Sequence, residues 1–391
     1  MNGNKIIIVG GCGHIGLPLA IMLSNVGYKV VAYDKNESVV KKVLSGNMPY
    51  YEEDGNSELQ KAFKSNNLEV RSKLIEEDIG SDFILSIGTP VDEFLNPKFS
   101  EFEKTINEIL NYLNEKSLVI IRSTVFPGTT EWLHDFLHKH NKKTKVSFCL
   151  ERSVQSKTFT EMSELPQIVS GTSEEATKRS CDIFKKISKK IITCQPKEAE
   201  LAKLFTNTFR YMQFAISNEF YKISDRSNLN FHKIYKIMSD DYPRMNGLPK
   251  PGFAAGPCLF KDTLQLVSYS NNSLSLGINS MQVNEGMVFY IKEVLEKKYD
   301  LKNTTVGLLG MSFKKDSDDI RASLSYKLKK ILNISCKSVL CSDDHVKNDF
   351  DLISLNEIIE KSDVLVLCTP HTYFKNLKTK KPIIDIWNHI N

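Results

Sequence analysis

The chain has 391 residues, of which 41% are hydrophobic and 25% charged, with 19 glycines and 13 prolines. This length predicts two or three domains, because a single hydrophobic core stops growing at smaller sizes. No apolar run approaches the roughly 18 residues that span a bilayer, and the first apolar stretch is typical of a strand rather than a signal peptide. The sequence therefore predicts a globular cytoplasmic protein without a membrane partner.

Charge and cysteine spacing narrow the functional class. The net charge of +5 comes mostly from scattered lysines such as Lys185, Lys189 and Lys190, which is typical of a solvated surface and does not indicate nucleic-acid binding. The charge is compatible with a dianionic small substrate.

None of the eight cysteines forms a C-x-x-C, so reduced thiols are expected. His134 and His138 lie four apart without a glutamate between them, so a solvated helix face is favoured and no metal is predicted.

The first half of the chain alternates strands and helices. Strands are predicted at residues 6–9, 30–33, 83–87, 118–121 and 146–148, and helices between them include 17–23 and 101–113. Strands that alternate with helices indicate a parallel, doubly wound sheet. This domain is expected to end near residue 195.

The second half begins with a helix at residues 198–224 that is apolar around most of its circumference. Such a helix is buried, either as a central spine or against a partner subunit. The helical region is predicted to end near residue 298. A new strand–turn–helix pattern then opens at residues 304–310, with strands at 338–341 and 363–368, which predicts a second α/β domain.

A glycine motif directly follows the first predicted strand and precedes a helix: Gly11, Cys12, Gly13, His14, Ile15 and Gly16. The first glycine permits the tight turn, the second lets a pyrophosphate approach the backbone, and the third lets helix and strand pack closely. Asp34, at the tip of the second strand, can accept both ribose hydroxyls and repel a 2′-phosphate. The pattern therefore predicts a dinucleotide site that prefers NAD to NADP.

Three polar residues share one face of the long apolar helix. Lys203, Asn207 and Arg210 lie at i, i+4 and i+7, so they must be paired or line a wet cleft. A structural ion pair with Glu200 is the alternative interpretation.

One cysteine differs from the others in its context. Cys258 follows a Gly/Ala run, has Lys261 nearby, and precedes Asp262 by four residues. A nearby cation favours the nucleophilic thiolate, and an aspartate can take a proton from water. Taken alone, a buried structural cysteine is the simpler interpretation. Next to a dinucleotide domain, an acylating cysteine indicates oxidation of an aldehyde through a thioester.

Seven stretches, in a constant order along nearly the whole chain, match a known family. The sequence resembles the UDP-glucose/GDP-mannose dehydrogenase family. The matching stretches are GGCGHIG (10–16), SIGTP (86–90), STVFPGTTE (123–131), LERSVQS (150–156), EAELAKLFTNTFR (198–210), GPCLFKD (256–262) and FKKDSDDIRAS (313–323).

The resemblance implies an α/β fold of two Rossmann-like domains joined by a helical one. Its domains are an NAD-binding domain (1–195), a central dimerisation and catalytic domain (196–300) and a UDP-sugar-binding domain (301–391). It also implies a homodimer or larger homo-oligomer and a reaction in which two NAD molecules in turn remove hydrides from C6 of a UDP-hexose. Between the two steps the sugar is held on Cys258, and water hydrolyses the resulting thioester.

The resemblance also assigns roles to individual residues. The catalytic set it implies is Cys258, Lys203, Asn207, Asp262 and Glu151. Besides the glycine motif and Asp34, the NAD contacts it implies are Thr89, Thr124, Lys261 and Arg321. The substrate contacts it implies are Arg152, Ser153, Lys203, Asn207, Arg210, Arg244, Gly256, Phe313 and Lys314, with Arg244 reaching the sugar of a partner subunit.

The identity of the sugar depends on a few positions. Glu151-Arg152, with the ELPQIVSG stretch (164–171) and Arg210, is similar to the N-acetylhexosamine branch, and Gln155 stands where the UDP-glucose branch has a second glutamate. Lys261 is closer to the UDP-glucose branch. Two further departures are Leu150 for a proline and Ala255 for a glycine. UDP-N-acetylmannosamine is favoured over UDP-N-acetylglucosamine and UDP-glucose.

Two other functional classes remain open at this point. A two-electron dehydrogenase of the 6-phosphogluconate or hydroxyacid type shares the first domain and a long central helix, but it leaves Cys258 and the last domain unused. A non-catalytic NAD-binding regulator is disfavoured, because every chemical group of the family is present.

Overall fold

The computed structural model describes residues 5–92 and 98–390 of the chain. The chain divides into two compact units, Met1–Phe205 and Thr206–Asn391. Among the helices of the described residues, none has both the length and the apolar character needed to cross a bilayer.

An eight-stranded sheet organises the first unit, with strand order β3-β2-β1-β4-β5-β6-β7-β8. The strands are β1 Ile6–Val9, β2 Val30–Tyr33, β3 Leu68–Arg71, β4 Asp82–Leu85, β5 Leu118–Ile121, β6 Lys145–Phe148, β7 Gln167–Gly171 and β8 Ile191–Thr193. The helices are α1 Gly16–Asn25, α2 Glu37–Leu44, α3 Gly55–Lys64, α4 Phe99–Ile109, α5 Thr129–Lys139, α6 Thr158–Glu164 and α7 Glu174–Phe184, with 3-10 turns at Glu76–Asp78 and Leu110–Tyr112. This order, reversing between β1 and β4, is that of a doubly wound sheet.

The sheet is covered by helices on both faces, which explains why strands β1, β2 and β5 are apolar throughout. In β1, Ile6 and Ile8 pack into one hydrophobic core with α1, α3 and α7. Ile7 and Val9 pack into the other with α4 and α5. A strand buried on both faces has no polar side to present, so it appears in sequence as a continuous apolar run.

The predicted α/β class is confirmed, and strands β1, β2 and β5 have the predicted bounds. Three strands of this first sheet were not predicted, β3, β7 and β8, because they are short or partly exposed and lack a continuous apolar run. The expectation of a wholly parallel sheet fails at one pair, since β7 runs antiparallel to β6. Phe148, at the end of β6, pairs with Ser170 near the end of β7, so the connecting segment returns to the edge of the sheet that it left.

A 31-residue helix, α8 Pro196–Arg226, runs through the division between the units. The second unit continues with α9 Phe231–Ser239, α10 Leu259–Tyr269, α11 Ser275–Lys298, α12 Leu324–Leu332 and α13 Leu355–Lys361, and with 3-10 turns at Pro243–Met245, Leu301–Asn303 and Thr372–Phe374. Its sheet has four parallel strands in the order β10-β9-β11-β12, which are β9 Thr305–Leu309, β10 Ser338–Ser342, β11 Val364–Leu367 and β12 Ile383–Ile384. The predicted second α/β region is thus confirmed.

Helix α8 is buried on one face only within this chain. Leu204, Tyr211 and Ala215 are buried. A stripe of large apolar side chains is exposed instead, and its members are Phe205 (54%), Phe209 (61%), Ile216 (45%), Phe220 (39%) and Ile223 (59%). We call these five residues the α8 stripe. Of the two predicted modes of burial, a central spine accounts for the buried face but not for the stripe.

A buried carboxylate holds together the loops of the small sheet. Asp343 follows β10 and accepts the backbone N–H groups of Met311 at 2.7 Å and Ser312 at 3.0 Å, both just after β9. It also accepts a hydrogen bond from His371 Nε2 at 3.0 Å. Burial opposes ionisation of Asp343, but the hydrogen bond from His371 and the two N–H groups outweigh it and lower its pKa from 3.8 to about 2.

Replacing Asp343 by asparagine should destabilise the second unit. A pKa lowered from 3.8 to about 2 corresponds to about 2 kcal/mol, or a fall in Tm of roughly 4–8 °C. Since the folded pKa lies below the unfolded one, this stabilisation is present above pH 3.8 and is lost as the pH falls through 2. Thermal unfolding from pH 7 to pH 2.5 tests this, with exposed Asp344→Asn as control. A gap between wild type and Asp343→Asn that widens towards low pH would contradict the assignment.

Candidate active site

The three glycines of the loop after β1 meet different constraints. A Cβ on Gly11 would lie 2.6 Å from Ala32 Cα, and one on Gly16 would lie 2.2 Å from Gly10 O. A Cβ on Gly13 would meet only Gly10 O, at an ordinary 3.4 Å. Packing within the chain therefore explains the first and third glycines. The second leaves room beside the start of α1, where backbone N–H groups attract a pyrophosphate.

Asp34 lies at the end of β2 beside this loop. Its Oδ2 accepts the N–H of Cys12 at 3.2 Å, and its Oδ1 accepts the N–H of Asn36 at 3.0 Å. Burial, and then the charge of Asp34, raises the pKa of the Cys12 thiol to about 12, so this thiol stays protonated. The half-buried carboxylate of Asp34 fits the ribose of NAD. The open space beside Gly13 fits the pyrophosphate.

His14 and Ile15 complete the glycine motif. Ile15 is the N-cap residue of α1. The His14 ring lies against Tyr50, with ring centroids 3.9 Å apart. The side chain of His14 is thus held against Tyr50.

Thr89 and Thr124 follow two neighbouring strands, β4 and β5. The Thr89 hydroxyl donates to the carbonyl of Thr124 at 2.6 Å, and Ser123 Oγ accepts the N–H of Ile87 at 2.8 Å. A Cβ on Gly10, after β1, would lie 2.4 Å from Ser86 O, so the loop after β4 also approaches the glycine loop. Parallel strands that meet at their carboxyl ends form the crevice where dinucleotides bind in this class of sheet.

The loop after β6 is organised by a buried ion pair. Glu151 Oε2 pairs with Arg122 Nη2, and its Oε1 accepts the N–H groups of Arg152 and Ser153, both at 2.6 Å. Burial opposes ionisation of Glu151, but the Arg122 charge and the Ser153 bonds outweigh it and lower its pKa. The Arg152 guanidinium donates to Pro166 O. The carboxylate of Glu151 is thus ionised and engaged in holding the loop.

Lys203 is placed on α8 with its Nζ donating to the carbonyl of Glu151 at 2.7 Å. Glu200 has a different role from the ion pair considered above. Its carboxylate accepts the N–H groups of Gly128 at 2.6 Å and Thr130 at 2.8 Å at the start of α5. Glu200 therefore fixes α8 against this helix terminus, and with it the position of Lys203.

Cys258 is the N-cap residue of α10 and is exposed, unlike the other seven cysteines, all of which lie in the described residues. Burial raises the pKa of Cys12, Cys149 and Cys341 to about 12. A helix N-terminus stabilises a thiolate through its free N–H groups. Exposure and position thus make Cys258 the candidate nucleophile among the eight cysteines.

A buried carboxylate lies one helical turn beyond Cys258. Asp262 is 1% exposed, and its Oδ2 accepts a hydrogen bond from Asn207 Nδ2 at 2.6 Å. Its Oδ1 lies 3.2 Å from Lys261 Nζ. The backbone N–H of Asp262 donates to the carbonyl of Cys258 at 2.8 Å. The second unit therefore brings Asn207, Lys261 and Asp262 to the start of the helix that Cys258 caps.

The loop of residues 313–322 packs on the cysteine loop. Gly256 has φ +104°, and a Cβ there would lie 2.5 Å from the Phe313 ring. Gly256 N donates to Ala322 O at 3.3 Å. Arg321 makes a two-pronged pair with Asp319, with Nη2 to Oδ2 at 2.6 Å. The Asp319 hydrogen bond, and more weakly the charge of Cys258, raises the pKa of Arg321, so this cation also acts on the Cys258 sulfur.

Lys314 follows Phe313 and is half-buried, with its carbonyl accepting from Ser312 Oγ at 2.9 Å. Two other predicted substrate contacts lie at exposed positions. Arg210 is exposed on α8, and the Arg244 guanidinium carbon lies 5.5 Å from the Tyr242 ring centroid. Arg244 is thus directed onto its own loop in this chain.

One group of side chains in the described residues has the spacing of metal ligands: Asp316, His345 and His371. His371 Nδ1 accepts the backbone N–H of Asp316 at 2.9 Å, and its Nε2 bonds Asp343 at 3.0 Å. Both ring nitrogens are therefore engaged, and a neutral imidazole has only one lone pair to offer. The group fits a structural clamp of this loop better than a metal site.

Several residues that shape these loops were missed from the sequence, namely Tyr50, Glu52, Arg122, Asp319 and Asp343. Of these, only Arg122 could have been predicted from the sequence to have a structural role. It directly follows the apolar strand β5, so its charge must find a buried partner. The others stand in polar segments, where nothing distinguishes a buried carboxylate from a solvated one.

The NAD-fitting loop of the first unit and the exposed cysteine of the second define an NAD-dependent oxidoreductase. The chain belongs to the UDP-glucose/GDP-mannose dehydrogenase family: residues 4–192 match its NAD binding domain, 197–286 its central domain and 307–391 its UDP binding domain. The resemblance seen in the motifs is thereby confirmed, as is NAD as the cofactor. The protein is thus an NAD-dependent nucleotide-sugar dehydrogenase.

Individual relatives agree over nearly the full length. A UDP-N-acetyl-D-mannosamine dehydrogenase of Methanococcus vannielii is 31% identical and covers 99% of this chain and 93% of its own. One of Methanococcus maripaludis is 33% identical, with 96% and 88% covered. The solved structure of a UDP-D-ManNAc dehydrogenase from Pyrococcus horikoshii has a TM-score of 0.91 at 29% identity and covers 99% of this chain and 96% of its own.

Gly13→Ala and Gly16→Ala should separate cofactor binding from folding. The methyl of Gly16→Ala would lie 2.2 Å from a backbone oxygen, so this variant should lose Tm. Gly13→Ala should keep its Tm but bind NADH at least about tenfold more weakly, because its methyl occupies the approach of the pyrophosphate. NADH fluorescence titration and thermal unfolding measure both effects. Unchanged NADH affinity in Gly13→Ala would remove this loop from the cofactor site.

Proposed function

We propose that this enzyme oxidises the C6 hydroxyl of UDP-N-acetylmannosamine to the carboxylate, in two NAD-dependent steps, through a thioester on Cys258. The observation that carries the proposal is the exposed thiol of Cys258 at the N-terminus of α10, one turn from the buried Asp262. A two-electron dehydrogenase needs neither group. A four-electron dehydrogenase needs a nucleophile to hold the aldehyde and a base to activate water.

The choice of sugar is supported by the relatives and by the loop after β6. Both Methanococcus relatives are named UDP-N-acetyl-D-mannosamine dehydrogenase. In this chain Glu151 is bound to Arg122 and turns the backbone of Arg152 and Ser153, and Gln155 is a neutral residue. We propose that this loop, with Arg210, holds the acetamido sugar.

The first step removes two electrons from C6. NAD, when bound, accepts the hydride that leaves C6 in each of the two oxidations. Lys203 and Asn207 lie one turn apart on α8, and an ammonium and an amide can hydrogen-bond the C6 oxygen and stabilise its negative charge as its proton leaves. Both are proposed to contact the substrate.

Cys258 then adds to the aldehyde carbon. Its sulfur forms a C–S bond, the carbonyl oxygen takes a proton, and a thiohemiacetal results. Loss of the second hydride from this carbon, with the hydroxyl proton, gives a thioester. Arg321 and the N–H groups of α10 favour the sulfur anion that begins this step.

Water completes the reaction. Asp262 is proposed to take a proton from a water molecule that attacks the thioester, after which the C–S bond breaks and Cys258 leaves as thiolate. Asn207 orients the carboxylate through the 2.6 Å hydrogen bond, and Lys261 lies 3.2 Å from its other oxygen. The sum is one alcohol, one water and two NAD converted into one carboxylate, two NADH and three protons.

Glu151 is proposed to position groups rather than to exchange protons. Its carboxylate is engaged by Arg122 and two backbone N–H groups, and its pKa is lowered. Its carbonyl accepts Lys203 Nζ at 2.7 Å. Glu151 therefore orients Lys203, and it keeps Arg152 and Ser153 in place for the sugar.

The remaining contacts are assigned by domain. We propose an NAD-binding domain at 1–195, a central domain at 196–300 and a UDP-sugar-binding domain at 301–391. The motif residues, Asp34, Thr89 and Thr124 are proposed to bind NAD, together with Lys261 and Arg321. The proposed substrate contacts from the later domains are Gly256, Phe313 and Lys314.

We further propose a homodimer built on the α8 stripe. Five large apolar side chains, each between 39% and 61% exposed, follow one face of a 31-residue helix. Exposed apolar surface of this extent marks a protein–protein interface. In such a dimer Arg244, directed onto Tyr242 in the single chain, would turn to the partner's sugar. A reducing cytoplasmic location is proposed, because no disulfide joins any of the eight cysteines, all of which lie in the described residues.

The function is tested by offering UDP- and GDP-sugars with NAD and following NADH absorbance. UDP-N-acetylmannosamine should be preferred, with about two NADH formed per sugar and no free aldehyde. Cys258→Ser should lower turnover at least about a thousandfold, because an alcohol is a far weaker nucleophile than a thiolate and a serine ester leaves less readily.

Cys336→Ser is the matched control, since this half-buried thiol lies elsewhere in the second unit. It should retain wild-type turnover. One NADH per sugar would support a two-electron dehydrogenase, and an unchanged rate in Cys258→Ser would exclude this residue as nucleophile. Tight NAD binding without binding of any UDP-sugar would support a regulator.

Phe209→Glu should break the proposed dimer. Phe209 is 61% exposed and central in the α8 stripe, and a charge there cannot be buried against a second copy without a partner. Light scattering should report a monomer for this variant and a dimer for wild type. Phe350→Glu, at a side chain 96% exposed in another region, is the control and should remain dimeric. A dimeric Phe209→Glu would move the interface away from α8.

A further inference from the structure

We propose that Tyr50 and Glu52 link the glycine loop (residues 10–16) to residues 151–158, which we call the sugar loop. Through this link, NAD binding orders the sugar loop and strengthens sugar binding. The inference rests on the proposed function for the identity of the sugar. It assigns to these two residues a positioning role, since each acts through the backbone of another segment. All the residues involved belong to the first unit.

Tyr50 is one end of this link. Its hydroxyl donates to the carbonyl of Gly13 at 2.9 Å, and its ring lies against His14 with centroids 3.9 Å apart. The same carbonyl accepts the N–H of Leu17 at 3.0 Å in the first turn of α1. Tyr50 therefore touches the part of the glycine loop where the pyrophosphate is expected.

Glu52 is the other end. Its side chain is buried, with Oε1 accepting the N–H of Thr158 at 2.5 Å and Oε2 accepting the N–H of Ser156 at 3.1 Å. The carboxylate accepts a third hydrogen bond from the Thr158 hydroxyl, which donates to Oε2 at 3.0 Å. Next along the chain, Glu53 N donates to Ser156 O at 3.2 Å. Ser156, near the end of the sugar loop, is thus held through both its backbone N–H and its backbone carbonyl.

The clamped residue has a conformation that the chain does not favour on its own. Ser156 has φ +72°, in the left-handed region that residues other than glycine, asparagine and aspartate rarely adopt. A strained residue persists only where its surroundings hold it. Without Glu52, Ser156 should relax to negative φ, and the loop that carries Arg152 and Ser153 would change its course.

The segment between the two contacts is short and itself braced. Tyr50 and Glu52 are separated by one residue. Met48 N donates to the side chain of Asn56 at 2.8 Å, and Gly55 N donates to Glu52 O at 3.0 Å. A shift of the glycine loop on binding a dinucleotide therefore reaches Glu52 through a braced turn rather than a flexible linker.

The coupling has a measurable consequence because binding energies are reciprocal. If NAD favours the clamped loop, then NAD raises the affinity for the sugar, and the sugar raises the affinity for NAD by the same factor. Such factors are about 5–150 in coupled sites. The factor should fall towards one when either contact is removed.

Hydrogen–deuterium exchange tests the link without any turnover. In wild type, saturating NADH should slow exchange in peptides covering residues 151–160, which contain the N–H groups of Ser156 and Thr158. Tyr50→Phe keeps the ring on His14 but loses the bond to Gly13, and it should bind NADH without this protection. Glu52→Gln keeps only one acceptor oxygen, and its loop should exchange fast with and without NADH.

Calorimetry measures the coupling directly. UDP-N-acetylmannosamine is titrated into each protein with and without saturating NADH, which cannot accept a hydride. Wild type should gain at least about fivefold in affinity from NADH. In Tyr50→Phe and Glu52→Gln, NADH should raise the sugar affinity only slightly. Of these two variants, only Glu52→Gln should keep the wild-type affinity for NADH. The neighbours Tyr51→Phe and Glu53→Gln, whose side chains are exposed, are matched controls and should behave as wild type.

Equal NADH protection of residues 151–160 in wild type and both variants would overturn the proposal. The proposal would also be overturned if wild-type protein bound both ligands but NADH left its affinity for the sugar unchanged. These results leave the proposed function intact, because they concern the order of a loop and not the reaction. Conversely, NADH-dependent protection that Tyr50→Phe abolishes would support the link even if another UDP-sugar proves to be the substrate.

Discussion

Buried carboxylates that accept backbone N–H groups hold the loops on which both candidate sites depend. Glu52, Glu151, Glu200 and Asp343 each take two such N–H groups from a segment that carries or adjoins site residues. An ionised carboxylate removed from water is costly unless its oxygens are satisfied, and main-chain N–H groups satisfy them only in one loop conformation. The cost of burial is what makes the conformation specific.

This constraint separates carboxylates that hold from those that react. Glu151 is bound by Arg122 and two N–H groups, and its pKa is lowered, so it is a poor base. Asp262 has a neutral amide, Asn207, on one oxygen and Lys261 at 3.2 Å from the other. These two side chains hold the carboxylate of Asp262 one helical turn from the exposed Cys258. Asp262 is therefore the better candidate to take a proton from water.

The fold was largely predictable because its signals are local. Apolar runs mark the strands β1, β2 and β5, and the Gly/Ala run before Cys258 marks a loop. The buried partners were not predictable, since the pairing of Glu151 with Arg122 or of Asp343 with His371 depends on which strands become neighbours. The antiparallel strand β7 was missed for the same reason, because its direction is decided by where the preceding segment returns to the sheet.

The glycine motif shows how a short pattern can combine requirements of folding with those of binding. Gly11 and Gly16 are required by packing, since a Cβ on either would meet backbone atoms of the same chain within 2.6 Å. Gly13 has no such requirement within the protein. A glycine that the fold does not need, just before a helix begins, leaves room for a ligand to approach the backbone. Only the distances around each glycine separate the two requirements, because in the sequence all three residues look alike.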